Sequence, residues 1–162
     1  KEIKILDDYI YDITTESKTL IVNGMWNHNC NGLDLEGLLS EGFRGAPNKL
    51  ESHTGQLLTY AVGQAANFMH QFATEFAGAV AFSNFDTLLS SYVKKDNLNY
   101  KEVKQCIQEF IFTMNLSTRI GGQSIFSNVS LDIIIPENYK ELYPVIGGEI
   151  QEFQYKDCQI RR

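Results

Sequence analysis

Three cysteines in 162 residues, Cys30, Cys106 and Cys158, are too few and too scattered for a disulfide scaffold. Their odd number points to a reducing compartment, and no Cys-x-x-Cys pair is present to hold zinc. No apolar run approaches membrane length and no signal peptide is recognisable, so the expected location is the cytoplasm. Positive charge is also scarce. With 14 Lys and Arg against 20 Asp and Glu, the net charge of −6 argues against a general binder of nucleic acid or of membrane surfaces. What remains, 43% hydrophobic and 21% charged, is the composition of an ordinary globular chain. The chain starts at Lys1 without a Met and enters a strand pattern at once, which reads as a piece of something longer.

Periodicity divides the chain. Residues 1–29 read as β: a strand to Thr15, a turn at Glu16-Ser17-Lys18, and a second strand from Leu20 that enters a tight turn at Asn23-Gly24. From Gly32 the pattern becomes helical, with Leu33, Leu35, Leu38 and Leu39 as an apolar stripe that stops at Gly42. The spacing of apolar residues predicts one long helical region over 49–82 with a break near Gly78. It predicts further helices over Phe85–Lys94 and Tyr100–Met114, the latter capped by Asn99. Val103, Ile107, Phe110, Ile111 and Met114 form the expected buried face of that last helix, and Cys106 joins it as a packing residue. Ile125–Ile135 reads as a strand ended by Pro136. This alternation after Cys30 predicts an α/β layer or barrel.

Two stretches carry chemistry. In His28-Asn29-Cys30 the Asn29 side-chain amide can attack its own main-chain carbonyl and cut the peptide bond that follows, while His28 donates a proton to that bond. The thiolate of Cys30 can accept an upstream acyl group. In the polar loop Ser117-Thr118-Arg119-Ile120-Gly121-Gly122-Gln123-Ser124, two glycines can bring backbone N–H groups, and Arg119 a positive charge, up to an anion such as phosphate. The commoner role of such a loop is a turn, and Arg119, Gly121, Gly122, Gln123 and Ser124 are its candidate ligand contacts.

With Asp8-Tyr9-Ile10-Tyr11-Asp12-Ile13 and Thr19-Leu20-Ile21-Val22-Asn23-Gly24 ahead of it, the His-Asn-Cys seam resembles the two C-terminal splicing blocks of inteins. The resemblance implies an all-β hairpin of the intein (Hint) fold over 1–29, with Asp12 assisting acyl transfer, His28 as the penultimate histidine and Asn29 as the cyclising residue. Lys18 stands where many inteins carry a His.

Past the seam, Cys30-Asn31-Gly32-Leu33-Asp34-Leu35-Glu36-Gly37 starts a second likeness. With Glu75–Thr87, Tyr92–Leu98, Lys101–Asn115 and Ser117–Asn128, it resembles the catalytic core of anaerobic, class III ribonucleoside-triphosphate reductases. The resemblance implies that 30–162 is the N-terminal part of that core, an α/β fold forming part of a ten-stranded glycyl-radical β/α barrel. It implies reduction of ribonucleoside triphosphates with formate as reductant, Cys30 being one of two active-site cysteines. Cys30 would then serve first as splicing acceptor and later as redox thiol. The family's effector-nucleotide site and dimer interface fall on 49–76, with Glu51 and Gln64 as candidate effector contacts.

By the same likeness no metal or cofactor site is expected within this chain. The family's second cysteine, glycyl-radical segment and zinc site would lie after residue 162, and a radical activase with an iron-sulfur cluster and S-adenosylmethionine would install the radical. Expected partners are the missing N-terminal intein half, the rest of the reductase, nucleotide substrates and effectors, the activase, and a second copy in a homodimer; neither membrane nor nucleic acid is among them. Alone, the chain is expected neither to splice nor to reduce nucleotides, and to aggregate through unpaired strand edges. Two alternatives stand beside this reading. One is the C-terminal half of a split intein carrying a reductase segment; the other is a non-catalytic helical interaction domain using the small residues of 55–81.

Overall fold

The computed structural model describes residues 20–22, 25–27, 31–43, 51–73, 78–117 and 124–158. Two short strands open it, β1 (Leu20–Val22) and β2 (Met25–Asn27), paired antiparallel with Leu20 opposite Asn27 and Val22 opposite Met25. The strand expected up to Thr15 lies outside the described residues. β1 and β2 form a sheet of their own.

The central sheet consists of β3 (Asn31–Leu33), β4 (Val80–Phe82) and β5 (Ser127–Val129), all parallel and in that order. Parallel neighbours need a crossover, and helices supply both. Between β3 and β4 run α1 (Leu35–Glu41) and α2 (Leu58–Ala73); between β4 and β5 run α3 (Phe85–Lys95) and α4 (Tyr100–Met114). Val80 and Phe82 are buried, each contributing about 2–3 kcal/mol of apolar burial.

Side-chain spacing explains the helices. On α2, Leu58, Ala61, Val62, Ala65, Ala66 and Met69 recur every three or four positions and are all buried. Small alanines on that face let α4 pack closely, and α2 makes its most extensive helix contact there. Phe68 touches Phe43, Phe72 and Phe82 with ring centroids 5.5, 4.6 and 6.1 Å away, which ties α2 to the sheet. Asp34 caps α1 by accepting from Gly37 N at 2.9 Å. Asn99 caps α4, its side chain accepting from Lys101 N and Glu102 N while the Glu102 carboxylate accepts from Asn99 N, a reciprocal box.

The tail packs back onto this body. α5 (Glu137–Lys140) is followed by a hairpin of β6 (Val145–Ile146) and β7 (Glu149–Ile150) and by a 3-10 turn at Tyr155–Cys158 that lies on α3. Gly147 and Gly148, at φ +64° and +83°, form the two-residue link, and only glycine adopts such a pair without strain.

Four expectations need correction. The helix expected over 49–82 is α2 alone, because 51–57 is an irregular stretch and 80–82 is a strand that two parallel neighbours hold. Leu33 belongs to β3, not to the helical stripe. Ile111 is 55% exposed, since it sits a quarter-turn away from the Cys106, Phe110 and Met114 line that α4 buries. The strand expected over 125–135 is only β5. Leu131, Ile133 and Ile134 are 60%, 77% and 66% exposed, and Ile133 sits at φ +62°, where no strand continues.

Candidate functional site

The starts of β3, β4 and β5 lie side by side at one end of the central sheet. At the start of its strands Asn31 is in register with Val80, and Val80 with Ser127. Asn31 follows Cys30, and Ser127 lies three residues after Ser124. With strands about 4.8 Å apart, the starts of β3 and β5 are about 10 Å from each other across β4. The glycine loop is pinched at its base, where Ser117 and Ser124 form an antiparallel bridge. Ser124 is exposed there. Asp12, His28, Asn29, Cys30, Arg119, Gly121, Gly122 and Gln123 lie outside the described residues, so the geometry speaks only for their flanks.

The opposite edge, where β4 and β5 end, carries a polar clamp. Asn84 stands at φ +55° just before α3, and its Nδ2 donates to both carboxylate oxygens of Asp132 at 3.0 Å. Thr87 Oγ1 donates to Asp132 Oδ2 at 2.6 Å. In return, Asp86 accepts from Asp132 N at 2.8 Å and from Ile133 N at 3.1 Å. Asn84 N also donates to Ser130 Oγ at 3.2 Å. Both carboxylates are thus occupied with holding the chain after β5 in place. Sequence reasoning missed Asp132, which no local pattern marks; the available signal was the Asn84-Phe85-Asp86-Thr87 run.

Glu51 and Gln64 do come together. Along with Phe43, Ser52, Asn67, Phe68 and Gln71 they line a cavity of about 490 Å³ between the end of α1 and the flank of α2. A second hollow, of about 450 Å³, adjoins it around His53, Gln56, Tyr60 and Gly63. Glu51 is exposed and precedes the helix. Gln64 is a fastener: its Oε1 accepts from Gly55 N at 2.9 Å, and its Nε2 donates to Ser52 Oγ at 2.6 Å and to the His53 carbonyl. The loop is held at its other end by the Phe43–Ser52 bridge, with N···O distances of 2.8 and 2.9 Å. The walls thus present a carboxylate, the polar edge of a fixed loop and the faces of Phe43 and Phe68, a set able to hydrogen-bond hydroxyls or amines and to cover a flat ring.

Burial dominates the titrating groups. Desolvation pushes Tyr92 up to about 12, and its buried hydroxyl has no hydrogen-bond partner among the described residues. Burial, aided by the Glu36 charge, raises Tyr155 further still. Burial also raises the Cys158 thiol to about 11, against a Ser90 hydrogen bond and the Lys94 charge that lower it. Cys158 and Cys106 are free and buried, and Cys106 Sγ lies 3.4 Å from Thr59 Oγ1 between α2 and α4. Among the described residues no group of three or more His, Cys, Asp or Glu is placed to hold a metal ion, and no helix is long and apolar enough to cross a membrane.

In sequence, residues 19–159 match the family described as anaerobic ribonucleoside-triphosphate reductase. None of the curated proteins matches the chain. Among solved structures it is similar to the anaerobic ribonucleotide reductase from Thermotoga maritima in complex with dATP and CTP. The TM-score is 0.60 at 19% identity, covering 80% of this chain and 23% of that one. The same enzyme with MES in the active site gives 0.56 at 18% identity, covering 79% and 22%. With dATP bound in the specificity site it gives 0.52 at 19% identity, covering 62% and 18%. At such identities the likeness is one of fold, and the chain spans about a fifth of the length of these structures.

Proposed function

The chain belongs to the family of anaerobic ribonucleoside-triphosphate reductases, and on that premise we propose that 30–162 is the early part of the catalytic core of such an enzyme. Its three parallel strands are then the first of the ten-stranded barrel. The whole enzyme replaces the ribose 2′-hydroxyl by hydrogen: the hydroxyl leaves as water and formate is oxidised to carbon dioxide. Cys30 is a redox thiol in this reading, suited to the work because its S–H bond is weak enough to exchange a hydrogen atom with a carbon radical. Arg119 and the N–H groups of Gly121, Gly122, Gln123 and Ser124 receive substrate phosphate. The supporting observation is the register Asn31–Val80–Ser127, which brings the residue after Cys30 and the end of the glycine loop to one sheet edge.

In the same proposal the Glu51 and Gln64 cavity serves as the effector site, a reading supported by its carboxylate, its fixed polar loop and the aromatic faces of Phe43 and Phe68. Gln64 acts by fixing the loop, and Glu51 faces the ligand. Zinc and the glycyl radical belong to other parts of the enzyme.

Residues 1–29 are, in the same proposal, the C-terminal splicing segment of an intein. The Cys30 thiolate accepts the upstream acyl group, breaking its bond to the first nucleophile of the N-terminal intein half, which leaves as a thiol or alcohol. Asn29 Nδ2 then attacks the Asn29 carbonyl carbon, the bond to the Cys30 nitrogen breaks with a proton from His28, and a succinimide remains on the released intein. Asp12 assists the acyl transfer. A second reading has its own support: the family match starts at residue 19, ahead of the seam, which favours β1 and β2 as reductase sequence that is never removed. Intact-mass spectrometry after incubation with a matching N-terminal intein half decides. Release of a piece beginning at Cys30, lost in Asn29→Ala, establishes the seam at Asn29 and Cys30. Absence of both association and cleavage supports the second reading, whereas association without cleavage means a splicing segment that has decayed.

A further inference from the structure

Residues 51–57 wall both the Glu51 cavity and the hollow beside it, and Gln56, just ahead of α2, is gripped from two directions. Its carbonyl accepts from Lys95 Nζ at 3.0 Å. Its side chain lies against Gly147 in the β6–β7 link, where a Cβ on the glycine would stand 3.0 Å from Gln56 Cγ. Gln64 holds the rest of the loop, at Ser52, His53 and Gly55.

Lys95 comes from a stiff mount. It stands in the last turn of α3, a helix that buries Leu88, Leu89 and Tyr92 along its length and is locked at its start by the Asp86 and Asp132 clamp. The lysine side chain is 33% exposed, with Asp96 Oδ1 at 3.8 Å, so solvent competes only in part for its ammonium group. A charge-assisted bond from such a mount fixes the Gln56 carbonyl in direction as well as distance.

Helix-end charge does not account for the contact. A cation in the last turn suits the dipole of α3, but Lys94 supplies the same charge one position earlier and lies over the Phe153 ring, 5.4 Å from its centre. For α2 the Lys95 charge is unfavourable, because it stands beside the helix N-terminus, whose first turn has no acidic residue to offset it. The bond to Gln56 is thus a hold on the wall.

We propose, on the reading of the Glu51 cavity as the effector site, that Lys95 is a positioning residue of that site. It lines neither hollow. By fixing Gln56 it keeps 51–57 in the shape that receives the nucleotide, and a wall ordered in advance binds more tightly because less freedom is lost on binding.

Amide exchange and titration with deoxynucleoside triphosphates, on the whole chain and its Lys95→Met, Lys95→Arg and Lys94→Met variants, test it. In Lys95→Met the Gly55 N–H, which donates to Gln64 Oε1, should exchange about fivefold faster while amides in the middle of α2 keep their rates. The nucleotide should bind about fivefold more weakly, the weight of one modest hydrogen bond. Lys95→Arg should restore both by offering an N–H to the same carbonyl, and Lys94→Met should change neither. A Gly55 rate or a nucleotide affinity unchanged in Lys95→Met, equal quickening throughout α2, or an equal effect of Lys94→Met would overturn the proposal. A parent that binds no nucleotide while Lys95→Met still loosens Gly55 would instead overturn the effector reading and leave Lys95 as the holder of the wall.

Discussion

Asp86 and Asp132, 46 positions apart, hold each other's segments in place: the backbone N–H of Asp132 donates to the Asp86 carboxylate at 2.8 Å. The Asp132 carboxylate in turn accepts from the Thr87 hydroxyl, one residue beyond Asp86. The start of α3 and the chain after β5 are thereby locked at the sheet edge opposite the glycine loop. Ile133 keeps its left-handed backbone because Asp86 also accepts its N–H at 3.1 Å.

Breaking the clamp should cost stability at either end. Asp132→Ala and Asp86→Ala each remove hydrogen bonds to a charged group and are expected to lower unfolding free energy by about 2–3 kcal/mol in urea titrations. Because both act on one loop, the double variant should lose about 1 kcal/mol less than the sum. Strict additivity would mean that the two carboxylates work independently.

Two glycines should respond in opposite directions to alanine. At Gly42, φ is +80° and a Cβ would stand 2.5 Å from Ser52 O, so Gly42→Ala is expected to destabilise by more than about 2 kcal/mol. At Gly63, inside α2, nothing lies within 4 Å of the added atom, and Gly63→Ala should stabilise by about 0.5–1 kcal/mol. Urea midpoints of the two variants measure the contrast.

The box at Asn99 predicts a smaller and more local effect. Asn99→Ala removes the acceptor for Lys101 N and Glu102 N and should lower stability by about 1 kcal/mol, while Asn99→Asp retains it. Amide exchange in the first turn of α4 should quicken in the alanine variant alone.

Tyr92 sets an alkaline limit. Its folded pKa of about 12 exceeds the unfolded value of 10.0, so the folded state keeps a proton that the unfolded state releases. The stability this gives is complete below pH 10 and is lost as pH rises toward 12. Tyr92→Phe should flatten that decline. It should also leave stability at pH 8 unchanged or raise it by about 1 kcal/mol, since it removes a buried hydroxyl that has no partner among the described residues. Urea titrations at pH 8 and pH 11 separate the two effects.

Part of this fold is legible along the chain. Helix spacing marks α3 and α4 nearly to their ends, and Asn99 announces its cap, because a helix buries residues three and four apart and closes its own first turn with a nearby side chain. The same rule overran at 80–82. Val80-Ala81-Phe82 fits an apolar helix as well as a strand, and only β3 and β5, about fifty residues away on either side, hold it extended. Ile133-Ile134-Ile135 fails in the other direction. Its composition asks for a strand, but Asp86 captures its backbone first.

The sequence by itself determined the family, the order of helices and the seam at Asn29 and Cys30 as a chemical possibility, because those are properties of neighbouring residues. Tertiary structure decided the rest. It placed the flanks of Cys30 and of the glycine loop on one sheet edge, brought Glu51 to Gln64 across a pinned loop, and joined Asp86 to Asp132. Such pairs are separated by many positions of chain, and no local spacing encodes them. Parallel strand register and helix packing supply the closeness, and they exist only once the sheet has formed.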